Sequence, residues 1–418
     1  MVRERMWRTP LASAVLAIAC AVGLGACGFS EEEPEGGGKV INWYVFNEPG
    51  GAFNDAVGRC NEQADGYRIN YVRLPTDADQ QRELVARRLA AKDSDIDIVG
   101  MDVIWTAEFA EAGWILEWEG QDAQRAMEGV LEGPAETARY EDKVFAAPFT
   151  TNTQLLFYRK DRVDEPPETW EEMIEMAEED ETAIEVQAAR YEGLTVLVNS
   201  LVASAGGQIV DENAELDIDE EAVRKAAETI RTLARSPAAP PGMSNNQEDD
   251  ARLGFESGRS NFQLNYTFVY ASAAEKEGFQ DKIGIARWPG LEGEGESRVT
   301  LGGINLGVGA YSKNKEEAFD AALCLAEAEN QIVAAEKGGL PPTDEDLYDN
   351  PKVQEAFPFS DVLRETLAEG VPRPVSPAYS DISLAIQKSF HPPEDINPDE
   401  VVDQLTDRLE RAAQGQIF

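Results

Sequence analysis

The chain has 418 residues, with 37 lysines and arginines against 79 aspartates and glutamates, and a formal net charge of −42 at pH 7. A polyanion of this size repels nucleic acid, and no basic stripe offsets its charge, so the sequence excludes nucleic-acid binding. The length and the ordinary hydrophobic content predict two large domains, and a neutral ligand is the natural expectation.

Residues 1–26 are predicted to be a signal peptide. Arginines near the start are followed by "LASAVLAIACAVGLGA", which is too short for a comfortable membrane span. The stretch "LGAC" at residues 24–27 resembles the lipobox of bacterial lipoproteins, in which the chain is cut before the cysteine and the thiol receives a diacylglyceryl group. The alternative is an ordinary signal with an accidental cysteine. The resemblance predicts lipidation at Cys27 and anchoring to the outer face of the bacterial cell membrane.

Residues 27–38 are predicted to be a flexible lipid-anchored tether. Their sequence, "CGFSEEEPEGGG", carries charge, glycine and proline without an apolar pattern. Such a segment cannot bury enough apolar surface to become ordered.

The four cysteines narrow the compartment further. Cys20 leaves with the signal peptide and Cys27 would be lipidated. Cys60 and Cys324 then remain as a pair in an oxidising space, which predicts a disulfide. The alternative is two unrelated buried thiols. A bridge would place the helix that carries Cys60 beside the helix that carries Cys324, within one domain.

The first elements alternate between strand and helix. They are a strand at 39–46, a helix at 50–63, a strand at 67–75, a helix at 77–95 and a buried strand at 96–103. This order predicts a parallel sheet with right-handed crossovers.

Later segments continue the mixture of strands and helices. They are an aromatic-rich helical stretch at 102–119, two strands interrupted at Pro148 within 142–161, helices from about 170 to 235, helix–strand–helix at 248–278, a strand at 282–290, a strand and then a helix at 300–328, and two C-terminal helices.

This order of elements, with "GIARWPG", "GGINLGV" and a late "GGLPP", resembles the extracellular solute-binding proteins of sugar ABC transporters. Within that family, "MDVIWTAEFAEAGWI", "NTQLLFYRKD", "ARLGFESG" and "RPVSPAYSDIS" are most similar to the trehalose-binding lipoproteins. The resemblance implies a two-lobe α/β fold of the periplasmic-binding-protein type (class II), with three interlobe crossings. It assigns residues 39–147 and 300–342 to the N-terminal lobe, and residues 148–299 and 343–418 to the C-terminal lobe.

The resemblance also implies a function. A monomeric lipoprotein of an ABC importer would capture a disaccharide, with trehalose favoured, in the interlobe cleft and deliver it to the membrane permease and its ATPase. Neither catalysis nor a cofactor nor a metal is expected, and a single histidine, His391, disfavours histidine-based sites. One alternative keeps the fold and binds maltose, maltodextrin or another α-glucoside. Another is a secreted glycosidase, since glycoside hydrolysis needs carboxylate pairs.

Sugars expose hydroxyls that donate and accept hydrogen bonds, together with mildly apolar C–H faces. Their sites combine carboxylates or amides, which bind the hydroxyls, with an aromatic ring that packs against the C–H face of the sugar. Asp102 ends a buried strand, where open parallel sheets bind ligands, and Asn152 lies in the polar "TTNT" segment of the first crossing. Trp105 is a candidate for this stacking ring. The alternatives are a helix cap for Asp102, local strand-end bonding for Asn152 and a core position for Trp105.

Three further side chains are candidates. By resemblance, Glu248 opens a helix at the site, and Tyr266 stands where the family usually has tryptophan, which keeps a smaller stacking face. Arg373 lies between two prolines, and a fixed guanidinium can donate to two hydroxyls. The alternatives are one more acidic helix start for Glu248 and an ion pair for Arg373.

The remaining candidates involve backbone and turns. Gly303 would let the backbone approach the ligand or the other lobe, with a tight strand entry as the alternative. Gly339 and Leu340 resemble the third crossing. Asn47 and Glu48 follow the first strand and face the cleft in the family, with a simple turn as the alternative.

Overall fold

The computed structural model describes residues 38–211, 216–291, 293 and 297–413. The predicted signal peptide, the lipidation site Cys27 and all but the last residue of the predicted tether lie outside these residues. From Lys39 onward the chain forms one compact unit. None of the described helices is long and apolar enough to cross a membrane.

The described strands, in chain order, are β1 (Lys39–Phe46), β2 (Tyr67–Leu74), β3 (Ile98–Asp102), β4 (Arg139–Tyr140), β5 (Lys143–Val144), β6 (Ala147–Asn152), β7 (Leu155–Arg159), β8 (Ala183–Glu185), β9 (Ser260–Asn265), β10 (Ile283–Ala286) and β11 (Gly302–Val308).

The described α-helices are α1 (Ala52–Gln63), α2 (Ala78–Ala90), α3 (Trp105–Glu111), α4 (Gly120–Ala126), α5 (Glu132–Thr137), α6 (Trp170–Glu179), α7 (Glu192–Ser204), α8 (Glu220–Arg235), α9 (Glu248–Glu256), α10 (Phe268–Ala273), α11 (Lys315–Ala326), α12 (Ala328–Gly338), α13 (Pro351–Ala356), α14 (Ser360–Glu369), α15 (Tyr379–Phe390) and α16 (Pro398–Ala413). Short 3₁₀ turns lie at Met243–Asn245, Gln280–Lys282, Glu345–Asp349 and Pro393–Asp395.

The first sheet has the strand order β2-β1-β3-β11-β6. Its strands β1, β2 and β3 are parallel, as the alternation of strands and helices predicts, whereas β11 runs antiparallel to both β3 and β6. Side chains alternate across the sheet, so Trp43 of β1 enters one hydrophobic cluster with α1 and α11, while its neighbour Tyr44 enters another with α2 and α3. We call this sheet with its packed helices the first lobe.

The disulfide between Cys60 and Cys324 is present, with a Cα–Cα distance of 5.9 Å. It joins α1 to α11, and both helices pack on the first sheet. The predicted pairing is therefore confirmed.

The second sheet has the order β10-β7-β9-β8, and we call it, with its packed helices, the second lobe. Leu156 of β7 faces the cluster of α6, α7, α8, α15 and α16, while Leu155 and Phe157 face the cluster of α9, α13 and α14. The short strand β8 lies in a segment that was predicted to be entirely helical. Its residues are buried and hydrogen-bonded to β9, which is a tertiary contact that local periodicity does not report.

The predicted strand break at Pro148 is wrong, because β6 runs through this residue. Proline has no backbone N–H, and the register with β11 shifts at this point, from Ile304 opposite Thr150 to Asn305 opposite Pro148. The strands are instead interrupted at Phe145 and Ala146, between β5 and β6, and again after Asn152, where the chain leaves the first sheet for the second.

The chain crosses between the two lobes three times. It passes to the second lobe between β6 and β7 and returns to the first lobe between β10 and β11. It crosses again after α12, because α12 packs on α1, whereas Val353 of α13 packs in the cluster of β7. The fold is thus a two-lobe α/β fold of the periplasmic-binding-protein type with mixed sheets. The residue boundaries given for the lobes stay a prediction.

Candidate functional site

A cavity of about 470 Å³ lies between the lobes, beside the crossing segments. This volume is in the ordinary range for small-ligand sites. Nine of the predicted ligand residues line it: Glu48, Asp102, Asn152, Glu248, Tyr266, Gly303, Gly339, Leu340 and Arg373. Asn47 and Trp105 are not among the lining residues.

Arg373 and Asp102 meet in this cavity from opposite lobes. Asp102 is the last residue of β3, and Arg373 follows α14 between two prolines. Arg373 is only 4% exposed, and it donates from Nη1 to Asp102 Oδ2 at 3.1 Å and from Nη2 to Oδ1 at 2.5 Å. The ion-pair alternative for Arg373 therefore holds in this structure, and the pair itself forms part of the cavity wall.

Glu192 is a cavity residue that the sequence interpretation missed. It is the first residue of α7, is 6% exposed and accepts from Arg373 Nη1 at 2.8 Å. Tyr379 Oη and Ser383 Oγ, both on α15, also donate to its carboxylate. Burial raises the pKa of Glu192, while the nearby Arg373 opposes that rise. Among 79 acidic residues, its place at a helix start between Tyr191 and Gly193 is the local signal that could have marked it.

Glu248 and Tyr266 are brought together by a buried asparagine. Asn265 ends β9, and its Nδ2 donates to the Glu248 carbonyl at 3.0 Å, while its Oδ1 accepts from the Tyr266 amide at 2.9 Å. Burial raises the pKa of Tyr266 far above its usual value, and the adjacent Glu248 adds to that rise. Burial also raises the pKa of Glu248. The cavity thus has a neutral phenol ring beside a carboxyl group.

Glycines at the start of β11 allow the close approach of the two crossing strands. Gly303 has a φ of 144°, and a Cβ there would lie 2.3 Å from the Thr150 carbonyl oxygen. A Cβ at Gly302 would lie 2.2 Å from Asn152 Oδ1. Glycine at these positions therefore leaves the Asn152 amide room at the cavity wall.

The structure favours the alternative interpretation for three predicted residues. Glu48 lines the cavity, but its carboxylate accepts from the amides of Gly50 at 2.5 Å and Ala52 at 2.7 Å, which fixes the turn before α1. Asn47 is exposed outside the cavity lining. Trp105 is 2% exposed and packs against Phe109 at 5.8 Å in the core of the first lobe.

Beside the cavity, α2 of the first lobe hydrogen-bonds to the second lobe. Gln387 Nε2 donates to Asp79 Oδ2 at 3.3 Å, and Arg82 Nη2 donates to Ser380 Oγ at 2.9 Å. Burial raises the pKa of Asp79 from 3.8 to about 7, and repulsion from Glu192 contributes. These contacts join the lobes at one rim of the cavity.

Within the described residues, no group of histidine, cysteine, aspartate and glutamate side chains is arranged to hold a metal ion. The cavity wall instead combines a charged network, an amide, an aromatic face and exposed backbone. This is the donor and acceptor set of a site for a polar, uncharged ligand.

Comparisons with known proteins agree on the family. A model of the bacterial extracellular solute-binding protein family matches residues 45–332. A probable ABC transporter-binding protein of Deinococcus radiodurans is 29% identical over 368 residues, which cover 81% of this chain and 86% of that protein.

Solved structures share the fold. The maltose-bound MalE3 of T. maritima superposes with a TM-score of 0.83 at 26% identity, covering 89% of this chain and 99% of that one. The GacH receptor of Streptomyces glaucescens, solved without ligand and with acarbose, superposes with a TM-score of 0.80 at 20% identity, covering 90% of this chain and 99% of that one. From the family match and the two-lobe fold, the chain belongs to the bacterial extracellular solute-binding protein family of ABC transporters.

Proposed function

We propose that this protein is the substrate-binding lipoprotein of an ABC importer, that it captures trehalose in the interlobe cavity, and that it delivers the sugar to the membrane permease. Its anchor would be a lipidated Cys27, and it would work as a monomer. The observation that carries the proposal is the cavity wall itself, in which Asp102, Arg373 and Glu248 lie with the Tyr266 ring.

Each group has a role that sugar chemistry requires. Asp102 and Glu248 would accept from hydroxyls, Arg373 would donate, and the Asn152 amide would do both. The Tyr266 ring would cover a C–H face of one glucose unit. These roles come from two lobes, so a bound disaccharide would hold the lobes together, as in hinge closure around a ligand.

Maltose or another α-glucoside is the second candidate. The support for it is MalE3, which is 26% identical to this chain and was solved with maltose bound. Both disaccharides consist of two glucose units, and the arrangement of hydroxyls across the linkage decides between them.

A glycosidase is disfavoured. The matched family and the structural neighbours are binding proteins. In the cavity, the carboxylates of Asp102 and Glu192 both accept from Arg373, so neither is a free general acid or base.

Titration calorimetry on the purified protein with trehalose, maltose, mannitol and glucose tests the proposal. We expect saturable binding of trehalose, weaker binding of maltose and no release of glucose on prolonged incubation. Maltose that binds as tightly as trehalose would overturn the trehalose assignment and leave a sugar receptor. If none of these compounds binds, both the trehalose assignment and the role as a sugar receptor are overturned.

A further inference from the structure

Glu192 lies in the cavity wall, but both oxygens of its carboxylate accept hydrogen bonds from the protein. Oε1 accepts from Arg373 and from the Tyr379 hydroxyl, and Oε2 accepts from Ser383 Oγ at 2.7 Å. Glu192 is only 6% exposed, and a buried carboxylate held by three donors is poorly placed to turn toward a ligand hydroxyl.

The partners of Arg373 come from different lobes. Asp102 belongs to the first lobe, whereas Glu192 lies on α7 of the second lobe. Tyr379 and Ser383, which donate to Glu192, lie on α15 of the second lobe, and a short loop joins Arg373 to this helix. Any separation of the lobes would take Asp102 away from Arg373 and leave Glu192 in place. Glu192 is therefore the partner that can neutralise and orient the guanidinium in both arrangements.

The donors of Arg373 show what such orientation would provide. A guanidinium has five N–H donors in one plane. Two bonds to Asp102 and one to Glu192 use three of them, while Nε is buried without a hydrogen-bond partner among the described residues. Because the guanidinium is planar, fixing Nη1 with Glu192 also fixes the direction of the remaining donors.

We propose that Glu192 is a positioning residue, which holds Arg373 from within the second lobe so that its fork faces Asp102 and the ligand. This rests on the proposed function, since the ligand is taken to be a disaccharide in this cavity. Glu192 does not touch the ligand in this proposal, and its effect on binding passes through Arg373.

The test compares Glu192→Gln with a matched control. Glutamine keeps the shape of the side chain and one acceptor oxygen, but it removes the charge and replaces the other oxygen with an NH₂ donor. Glu185→Gln makes the same change at a fully buried glutamate of the second lobe that pairs with Arg259 and does not line the cavity. We expect Glu192→Gln to weaken trehalose binding about tenfold or more, and Glu185→Gln to change it by less than about twofold.

A double-mutant cycle separates positioning from direct contact or loss of fold. In an Arg373→Ala background, Glu192→Gln should change the trehalose affinity little, because the residue through which it acts is gone. An equal loss of affinity in both backgrounds would overturn the proposal, and so would wild-type affinity in Glu192→Gln.

A readout without ligand keeps this proposal separate from the proposed function. In NMR spectra of protein with ¹⁵N-labelled arginine, the Arg373 Nε–H, assigned by its loss in Arg373→Lys, should exchange slowly with solvent in the wild type and in Glu185→Gln, and fast in Glu192→Gln. If the wild type binds neither trehalose nor maltose, the proposed function fails and this exchange rate still decides the role of Glu192. An unchanged rate in Glu192→Gln would overturn it.

Discussion

Arg373 and Asp102 are 271 residues apart in sequence and form a two-bond ion pair across the interlobe cavity. The Arg373 side chain is 3% exposed and that of Asp102 is 20% exposed. When Asp102 is removed, Arg373 keeps Glu192 as an anionic partner within the second lobe, whereas removal of Arg373 leaves the buried carboxylate of Glu192 without this cation. This asymmetry distinguishes the effects expected from removing each residue.

Asp102→Ala and Arg373→Ala should each weaken trehalose binding about tenfold or more, because each leaves polar groups of the ligand unpaired. Arg373→Ala should also lower the free energy of unfolding by about 3 kcal/mol, since it leaves Glu192 as an uncompensated buried charge. Asp102→Ala should lower it by less, because Arg373 keeps Glu192 as a buried anionic partner. Calorimetry and urea unfolding measure the two effects, and equal destabilisation by both variants would contradict this account.

Tyr266 should act through its ring more than through its hydroxyl. We expect Tyr266→Ala to weaken disaccharide binding about tenfold, Tyr266→Phe to weaken it only a few-fold, and Tyr266→Trp to keep or improve it by enlarging the stacking face. Tyr270→Ala is the control, since Tyr270 packs against Phe359 away from the cavity and should affect stability alone. A larger loss in Tyr266→Phe than in Tyr266→Ala would show that stacking is not its role.

The disulfide should stabilise the first lobe strongly, because it closes a sequence separation of 264 residues. Replacing both Cys60 and Cys324 by serine should lower the free energy of unfolding by about 2–5 kcal/mol. Sugar affinity should be nearly unchanged, since neither cysteine lines the cavity. Unfolding of oxidised and reduced wild-type protein provides the control, and the reduced form should match the double variant.

Asp79 should make stability dependent on pH. Its pKa is about 7 in the folded chain, against 3.8 ordinarily, so the folded state holds the proton more tightly than the unfolded state does. The stabilisation of the folded state that results from this difference is therefore fully present below about pH 4 and is lost as the pH rises through about 7.

Asp79→Asn should accordingly raise the free energy of unfolding by about 1–2 kcal/mol at pH 8, after allowance for solvent access, and change it little at pH 4. Urea unfolding at both pH values measures this difference. Asp403→Asn, at an exposed position on α16, should show neither effect. Equal stabilisation by Asp79→Asn at both pH values would contradict the assignment.

Cys27 should carry the membrane anchor. In the native host, Cys27→Ala should abolish labelling by a radioactive fatty acid, and the protein should be shed from the membrane or stay unprocessed. Cys20→Ala, which changes a cysteine within the predicted signal peptide, should leave labelling intact. Unchanged labelling of Cys27→Ala would refute lipidation at this residue.

The sequence alone determined the features that local patterns encode. Hydrophobic periodicity predicted β1, α1, β2, α2 and β3 in order, and counting cysteines predicted the pairing of Cys60 with Cys324. Strand ends and the resemblance to a known family selected nine residues that line the cavity, including Asp102 and Asn152. These features depend on short stretches of chain or on residue types, so one sequence is enough to find them.

Tertiary structure alone decided which groups meet. Glu192 is one carboxylate among many until α15 brings Tyr379 and Ser383 to it and the loop before α15 brings Arg373. From its sequence position, Trp105 could stack on a sugar or lie in the core, and the packing of α3 on the first sheet places it in the core. The strand continues through Pro148 because a register shift against the distant β11 accommodates the missing N–H. Burial and ion pairing are set by partners far away in sequence, and no local pattern carries that information.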